Sequence, residues 1–278
     1  MSSGDDVLTI RDLDLKFITR GATTVALDHI SLSVGKREIL GLVGATGSGK
    51  SLTLLSIMGM PPHSARITGG SIRYGDRELI GLDDATYRRL RGGEISIVVQ
   101  NAKAALNPLA QLGDQIMAVY REKIDLDAAA LRHRMRDVLS NVGFRDADRV
   151  LSAYPHQISG GMAQRILIAI ALGPAPRLVL FDEPTSGLDT TVGFKVMTTI
   201  RQSIGEVNAS AIVVTHDLGV VARFCDRVVV MAAGRVVDAA PVREFFSASA
   251  NPHRRSLIDA HAWAAALAEG PTGDGDGG

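Results

Sequence analysis

The chain has 278 residues, 46% of them hydrophobic and 22% charged, with 30 Lys and Arg set against 30 Asp and Glu. That length buries a sizeable core without disulfides or a structural metal, and the single Cys225 excludes an internal disulfide and any site built from several thiolates. Zero net charge with 4% aromatics argues against a nucleic-acid binder, which carries a basic excess and stacking rings, although a local basic patch can hide inside a neutral sum.

A transmembrane helix needs roughly 17 to 25 predominantly apolar residues. The best candidate, ILIAIALGPAP between Arg165 and Arg177, is too short and ends in Gly and two prolines. The start, MSSGDDVLTI, has neither the basic nor the apolar region of a secretory signal. A cytoplasmic chain is predicted, reaching a membrane only through a partner.

In chain order, VLTIRDLDLKF and TVALDHISLSV alternate apolar and polar positions, which predicts half-exposed antiparallel strands. The apolar run at Ile39 to Val43 predicts a strand buried on both faces. After a Gly-rich stretch, Ser51 to Met60 reads as a helix that stops before Pro61-Pro62, and Ile95 to Val99 is a further apolar run. From Asn107 to about Gly173 the chain reads mainly helical; Leu131, Met135, Val138, Leu139 and Val142 form a stripe at helical spacing, with Gly143 as a C-terminal cap. LVLFD (178–182) and AIVVT (211–215) predict strands separated by a helix from about Thr190 to Ser203, hence a parallel sheet with crossover helices. Arg227 to Ala232 and Arg235 to Ala239 predict a hairpin around Ala233-Gly234, although its loop chemistry is not the strongest type. Asn251-Pro252 suits a helix start, and the final GPTGDGDGG reads as disordered. No internal repeat is present.

Gly44-Ala45-Thr46-Gly47-Ser48-Gly49-Lys50-Ser51 matches G-x-x-x-x-G-K-[ST] between a buried strand and a helix. Such glycines let backbone N–H groups surround a phosphate, and the helix adds its positive N-terminal end. Lys50 then reaches the β- and γ-phosphates, and the Ser51 hydroxyl is a Mg²⁺ ligand. Asp182, ending an apolar strand, completes a Mg²⁺ shell; Glu183 points differently and polarises the attacking water. Read alone, the same pair is a strand entering a polar loop. Ser159-Gly160-Gly161 opens an apolar helix and suits an anion. Gln100 and His216 each follow a strand, at the edge where open α/β sheets bind ligands, and each taken alone also fits a structural role.

These segments in this order, GATGSGKS, Gln100, ISGGMAQR, LVLFDEPTSGLD and VVTHD, resemble the Walker A, Q-loop, signature, Walker B with D-loop, and switch histidine of the ATPase subunits of ATP-binding-cassette transporters. The resemblance runs from about residue 7 to 260. It implies an α/β P-loop NTPase of cassette type: a mixed central sheet with an antiparallel β subdomain and a helical subdomain. On that pattern residues 7–250 form the ATPase domain, with the helical subdomain at about 101–173. A C-terminal helical extension follows over 251–269, and a disordered tail over 270–278.

The resemblance also implies ATP hydrolysis with Mg²⁺ by a head-to-tail pair of cassettes. Gly44 to Leu52 would hold the nucleotide, that is Gly44, Ala45, Thr46, Gly47, Ser48, Gly49, Lys50, Ser51 and Leu52. Phe17 matches the adenine-stacking aromatic, or is a strand-core residue. Ser51, Gln100 and Asp182 would serve the metal; Glu183, His216 and Gln100 the catalysis; Asp189 the D-loop. Ser159, Gly160, Gly161 and Met162 would act in trans on the partner's nucleotide.

Closest in likeness is the peptide and nickel importer group, on GKSLT, ALNP (105–108), Met162, HDLGVVARFCDRVVVM and NPHRRSL. Asn101-Ala102 stands where Asp-Pro is usual, and Ala163 where Arg is common. Some relatives carry a Cys-rich extension resembling an iron–sulfur site; with only Cys225, read as a core residue inside a helix, no such cluster is expected. The implied partners are a second cassette, transmembrane permease subunits and, indirectly, a substrate-binding protein, at the cytoplasmic face of the membrane. The alternative is a soluble cassette ATPase acting on nucleic acid or ribosomes, which predicts a basic surface, tandem cassettes or a coiled-coil insertion. A further rival is a regulatory module without turnover, which predicts loss of Glu183 or His216; both are present.

Overall fold

The computed structural model describes residues 6–247, 251, 252 and 254–258. Strands β1 (Asp6–Thr19), β2 (Ala22–Gly35), β4 (Ala65–Tyr74) and β5 (Arg77–Glu78) form an antiparallel sheet in the order β2-β1-β4-β5. The intervening β3 (Ile39–Val43) and helix α1 (Lys50–Ile57) belong elsewhere. With β6 (Ile95–Val98), β7 (Leu178–Asp182), β8 (Ser210–Val214), β9 (Arg227–Ala232) and β10 (Arg235–Pro241), β3 makes a mixed six-stranded sheet ordered β10-β9-β3-β8-β7-β6. Only the β9–β10 pair is antiparallel.

Helix α2 (Asp84–Leu90) precedes β6, and between β6 and β7 the chain is helical: α3 (Ala102–Ala105), α4 (Leu112–Lys123), α5 (Ala128–Asn141), α6 (Ala147–Ser152) and α7 (Gly160–Leu172). Helices α8 (Thr190–Val207) and α9 (Leu218–Phe224) cross over between β7, β8 and β9, and α10 (Val242–Phe245) follows β10.

The alternation of a pleated strand assigns each face of the central sheet to its own core. Leu40, Leu42, Leu178, Leu180, Ile212 and Val214 pack toward the antiparallel sheet and α1, with Leu8, Leu15, Leu27 and Leu54. Ile39, Val43, Val179, Phe181, Ala211 and Val213 pack toward the helices, with Leu139, Ile166, Ile168 and Ile200. This three-layer arrangement is why Ile39–Val43 is wholly buried whereas β1 and β2 alternate. Each buried Leu, Ile or Val contributes about 1.5–3 kcal/mol.

Departures from the sequence reading have local causes. The P-loop helix already ends at Ile57, because Gly59 turns left-handed (φ 61°) against the Tyr87 ring. The stripe on α5 buries Leu131, Met135, Val138 and Leu139 as predicted, and Gly143 follows the helix at φ 87°. In the β9–β10 turn, Ala233 and Gly234 both take positive φ (46° and 77°), as a type I′ hairpin demands, with Ala where Asn or Asp is usual. Cys225 is not inside a helix; it follows α9 in extended conformation, and burial pushes its thiol up to about 12. It is nevertheless a core residue. At 252–258 the chain is helical where described, and Asn251 Oδ1 accepts the Arg254 N–H at 3.3 Å, as its capping role predicts. Residues 259–278, including GPTGDGDGG, lie outside the described residues. No helix among the described residues is long and apolar enough to cross a membrane.

Candidate functional site

The parallel strands deliver the polar residues to one edge of the sheet. Gly44 follows β3, Gln100 follows β6 by one residue, Asp182 ends β7, and His216 follows β8 by one residue. Their C-terminal ends therefore converge, and the side chains meet there.

The P-loop takes its shape from left-handed glycines, Gly44 at φ 149° and Gly49 at φ 104°. A Cβ at Gly44 would lie 2.1 Å from the Met231 carbonyl oxygen, and one at Gly49 2.6 Å from Leu27 Cδ2. Gly49 caps α1, and among the described residues no side chain makes a capping hydrogen bond to it. The first-turn N–H groups and the helix dipole form an anion-binding concavity. Lys50 Nζ donates to the carbonyls of Gly44 at 2.8 Å and Ala45 at 2.9 Å. Burial pushes its ammonium below the ordinary lysine value, opposed by Glu183 and Asp182.

The Ser51 hydroxyl donates to Asp182 Oδ1 at 2.9 Å, joining the P-loop helix to β7. Burial raises the Asp182 carboxyl above its usual range; the Ser51 hydrogen bond opposes this, Glu183 adds to it, and Lys50 opposes it. Glu183 has a left-handed backbone (φ 49°), held by its N–H to Val214 O at 3.0 Å and its carbonyl from Ser186 N–H at 3.1 Å. A left-handed non-glycine residue costs about 1–3 kcal/mol. Glu183 Oε2 accepts from Gln100 Nε2 at 2.9 Å and lies 3.7 Å from His216 Nδ1.

Lys50, the Ser51–Asp182 pair and the Gln100–Glu183–His216 group thus gather at one sheet edge, with Lys50, Asp182 and Glu183 near enough to influence one another's charge. Ser159 caps α7, accepting the Met162 N–H at 3.2 Å. Among the described residues no hydrogen bond or ion pair links Ser159, Gly160, Gly161 or Met162 to the P-loop. A Cβ at Gly160 would meet nothing within 4 Å, whereas one at Gly161 would lie 2.9 Å from Val192 Cγ1. Asp189 caps α8 by accepting the Val192 N–H at 2.9 Å. Phe17 is half-buried on β1 opposite Thr24 and Ala65, and it packs with Leu52 against the core between the sheets.

Two contributors were not legible in the motifs. Ser186 Oγ accepts a second hydrogen bond from Gln100 Nε2 at 3.1 Å. The β9–β10 turn buttresses the P-loop: Gly234 donates to Ser48 O at 3.2 Å, and its carbonyl accepts from Asp28 N–H at 2.8 Å. The sole hint in the sequence was the Ala233-Gly234 turn.

The family described as ABC transporter matches residues 27–186. The oligopeptide transport ATP-binding protein AppD of Bacillus subtilis is 37% identical over 253 residues, covering 91% of this chain and 77% of that protein. The chain belongs to the ATP-binding-cassette transporter family. The dipeptide transport ATP-binding protein DppD of the same organism is 38% identical, covering 91% and 76%. Among solved structures, the ATP-binding cassette MJ0796, dimeric in a post-hydrolysis state bound to ADP and Pi, superposes with a TM-score of 0.76 at 26% identity, over 85% of this chain and 99% of that one. CbiO1 of Clostridium perfringens shares the fold (TM-score 0.75, 24% identity, 95% and 99% covered). The cassette fold is therefore the one the sequence predicted, with its antiparallel sheet, mixed central sheet and helices.

Proposed function

We propose that this chain binds and hydrolyses ATP and energises a membrane importer of the peptide class. The observation that carries the reading is the cluster at one sheet edge, in which the Ser51–Asp182 pair and the Glu183 carboxylate sit beside an uncapped P-loop helix. The names of AppD and DppD favour peptides over nickel as cargo.

The donor set suits Mg²⁺: a hydroxyl and a carboxylate oxygen 2.9 Å apart are hard ligands for a hard cation. Ser51 and Asp182 would hold the ion, with Gln100 next to it; when bound, Mg²⁺ neutralises charge developing on the transferred phosphoryl group. Lys50 would turn from the P-loop carbonyls to the β- and γ-phosphates. Glu183 Oε2 would take the proton of the attacking water, with Gln100 and His216 orienting its carboxylate, and His216 would hold the γ-phosphate. Phe17 would stack on the adenine.

The signature residues would act through a partner, since among the described residues no hydrogen bond or ion pair joins them to their own P-loop. The open surface at Gly160 and the dimeric MJ0796 favour a second cassette placing Ser159, Gly160 and Gly161 on the γ-phosphate in trans. The chain would attach peripherally at the cytoplasmic face through permease subunits, docked on the Q-loop and the helical segment from 101 to about 158, with a substrate-binding protein acting on the permeases.

The purified chain should hydrolyse ATP only with Mg²⁺, and affinity capture from membranes should recover polytopic subunits. Capture of ribosomes or nucleic acid instead would overturn the transport reading; absence of hydrolysis with intact ATP binding would leave a regulatory module.

A further inference from the structure

The sheet edge opposite the nucleotide residues carries a second feature. Arg11, Lys36, Arg73, Arg77 and Arg177 line a groove of about 970 Å³, together with the buried Tyr74. Lys36 precedes β3 and Arg177 immediately precedes β7, so the groove lies at the N-terminal ends of strands whose C-terminal ends carry Gly44 and Asp182. A five-residue strand spans roughly 17 Å, which separates the two regions.

The groove collects positive charge that the zero net charge of the chain conceals. Across the β1–β4 pair Thr9 faces Arg73 and Arg11 faces Ser71, which makes Arg11 and Arg73 diagonal neighbours on one face. Asp6, Asp76 and Glu94 also line it, and Lys36 has an interaction of its own, but the arginines are incompletely matched. Arg77 reaches Glu94 only at 3.9 Å, between half-exposed side chains. Arg73 Nη2 donates to the backbone carbonyl of Asp76 at 2.8 Å, not to its carboxylate. Among the described residues neither Arg11 nor Arg177 forms an ion pair, and Arg177 stands 6.0 Å above the Tyr74 ring. A concave surface with a like-charge excess focuses its field on an anion, and planar guanidinium forks match phosphoryl oxygens.

We propose that this groove binds a phosphoryl-bearing anion at a site separate from the nucleotide. A soluble polyphosphate compound and an anionic lipid headgroup share the required chemistry. All five cations are exposed, so substituting them leaves the core untouched.

The test titrates inorganic pyrophosphate into the wild type, Lys50→Ala, the double variant Arg11→Gln/Arg177→Gln, and the triple variant, by calorimetry. Pyrophosphate binding should persist in Lys50→Ala and weaken about tenfold or more when the two charge-assisted contacts are removed. ATP affinity and hydrolysis of the double variant should match wild type. Sedimentation with phosphatidylglycerol vesicles, against phosphatidylcholine alone, separates the sources: vesicle binding that depends on the same arginines assigns a lipid headgroup, and pyrophosphate binding without it assigns a soluble ligand. Loss of all pyrophosphate binding in Lys50→Ala without vesicle binding, arginine-independent binding of both probes, or binding of poly-glutamate in place of both would overturn the proposal.

Discussion

The Gln100 amide and the His216 ring converge on one oxygen of Glu183, at 2.9 Å and 3.7 Å respectively. The three residues follow adjacent strands, β6, β7 and β8, so sheet order brings them side by side. Glu183 completes the arrangement by a left-handed backbone that no glycine supplies.

Glu183→Gln keeps the side-chain shape and the hydrogen bond from Gln100 in reach but removes the proton acceptor. Steady-state ATP turnover should fall by about 10²–10⁴, the usual contribution of a general base, while ATP affinity changes little. An equilibrium titration beside the turnover assay checks both halves. Turnover near wild type would remove Glu183 from the proposed role.

Lys50→Ala removes a buried ammonium bonded to the Gly44 and Ala45 carbonyls. Loss of a charge-assisted contact of about 1.5–3 kcal/mol should weaken ATP binding roughly 10- to 100-fold. Undiminished affinity in a nucleotide titration would count against the P-loop reading.

The motifs were legible because their chemistry fixes residue types at fixed spacing; their supports were not, because any residue offering a backbone carbonyl or a small side chain can serve. Met231 meets the P-loop through its carbonyl oxygen, and Gly234 through its N–H. Neither contact leaves a side-chain signature, and both come from a hairpin nearly 190 residues downstream of the loop. Ile39–Val43 is readable as doubly buried since all five residues are apolar or Gly, whereas the end of α9 before Cys225 is not, because no Gly, Asn or Pro follows Phe224 to mark it. Ser186 was visible in the sequence, but only the geometry showed it sharing the Gln100 amide with Glu183.

Asp182 offers a prediction with a defined sign. Its carboxyl is raised above the unfolded value near 3.8, chiefly by burial. Between that value and the raised one, the folded chain holds more protons than the unfolded chain, so stability falls as pH climbs through the window and the penalty is complete above it. Asp182→Asn removes the charged form and keeps an oxygen for the Ser51 hydroxyl. Its Tm should exceed that of the wild type at neutral pH, by a margin that shrinks toward pH 4, while hydrolysis is lost. A Tm difference that grows toward acid would contradict the burial argument.

Gly161 tests whether the signature glycines are small for packing or for ligand access. A Cβ there would lie 2.9 Å from Val192 Cγ1, at the start of α8, and the stiff valine has no flexible end to move aside. Gly161→Ala should therefore lower stability by about 1–3 kcal/mol, the range for an overpacked contact. Val192→Ala, with the offending methyl gone, should recover most of that loss in the double variant, giving a coupling well above the additivity error of about 0.5 kcal/mol. Urea unfolding of the four proteins measures the coupling, and ATP turnover measured alongside separates the roles. Stability restored with turnover still depressed assigns Gly161 to ligand access, whereas recovery of both assigns it to the α7–α8 contact alone.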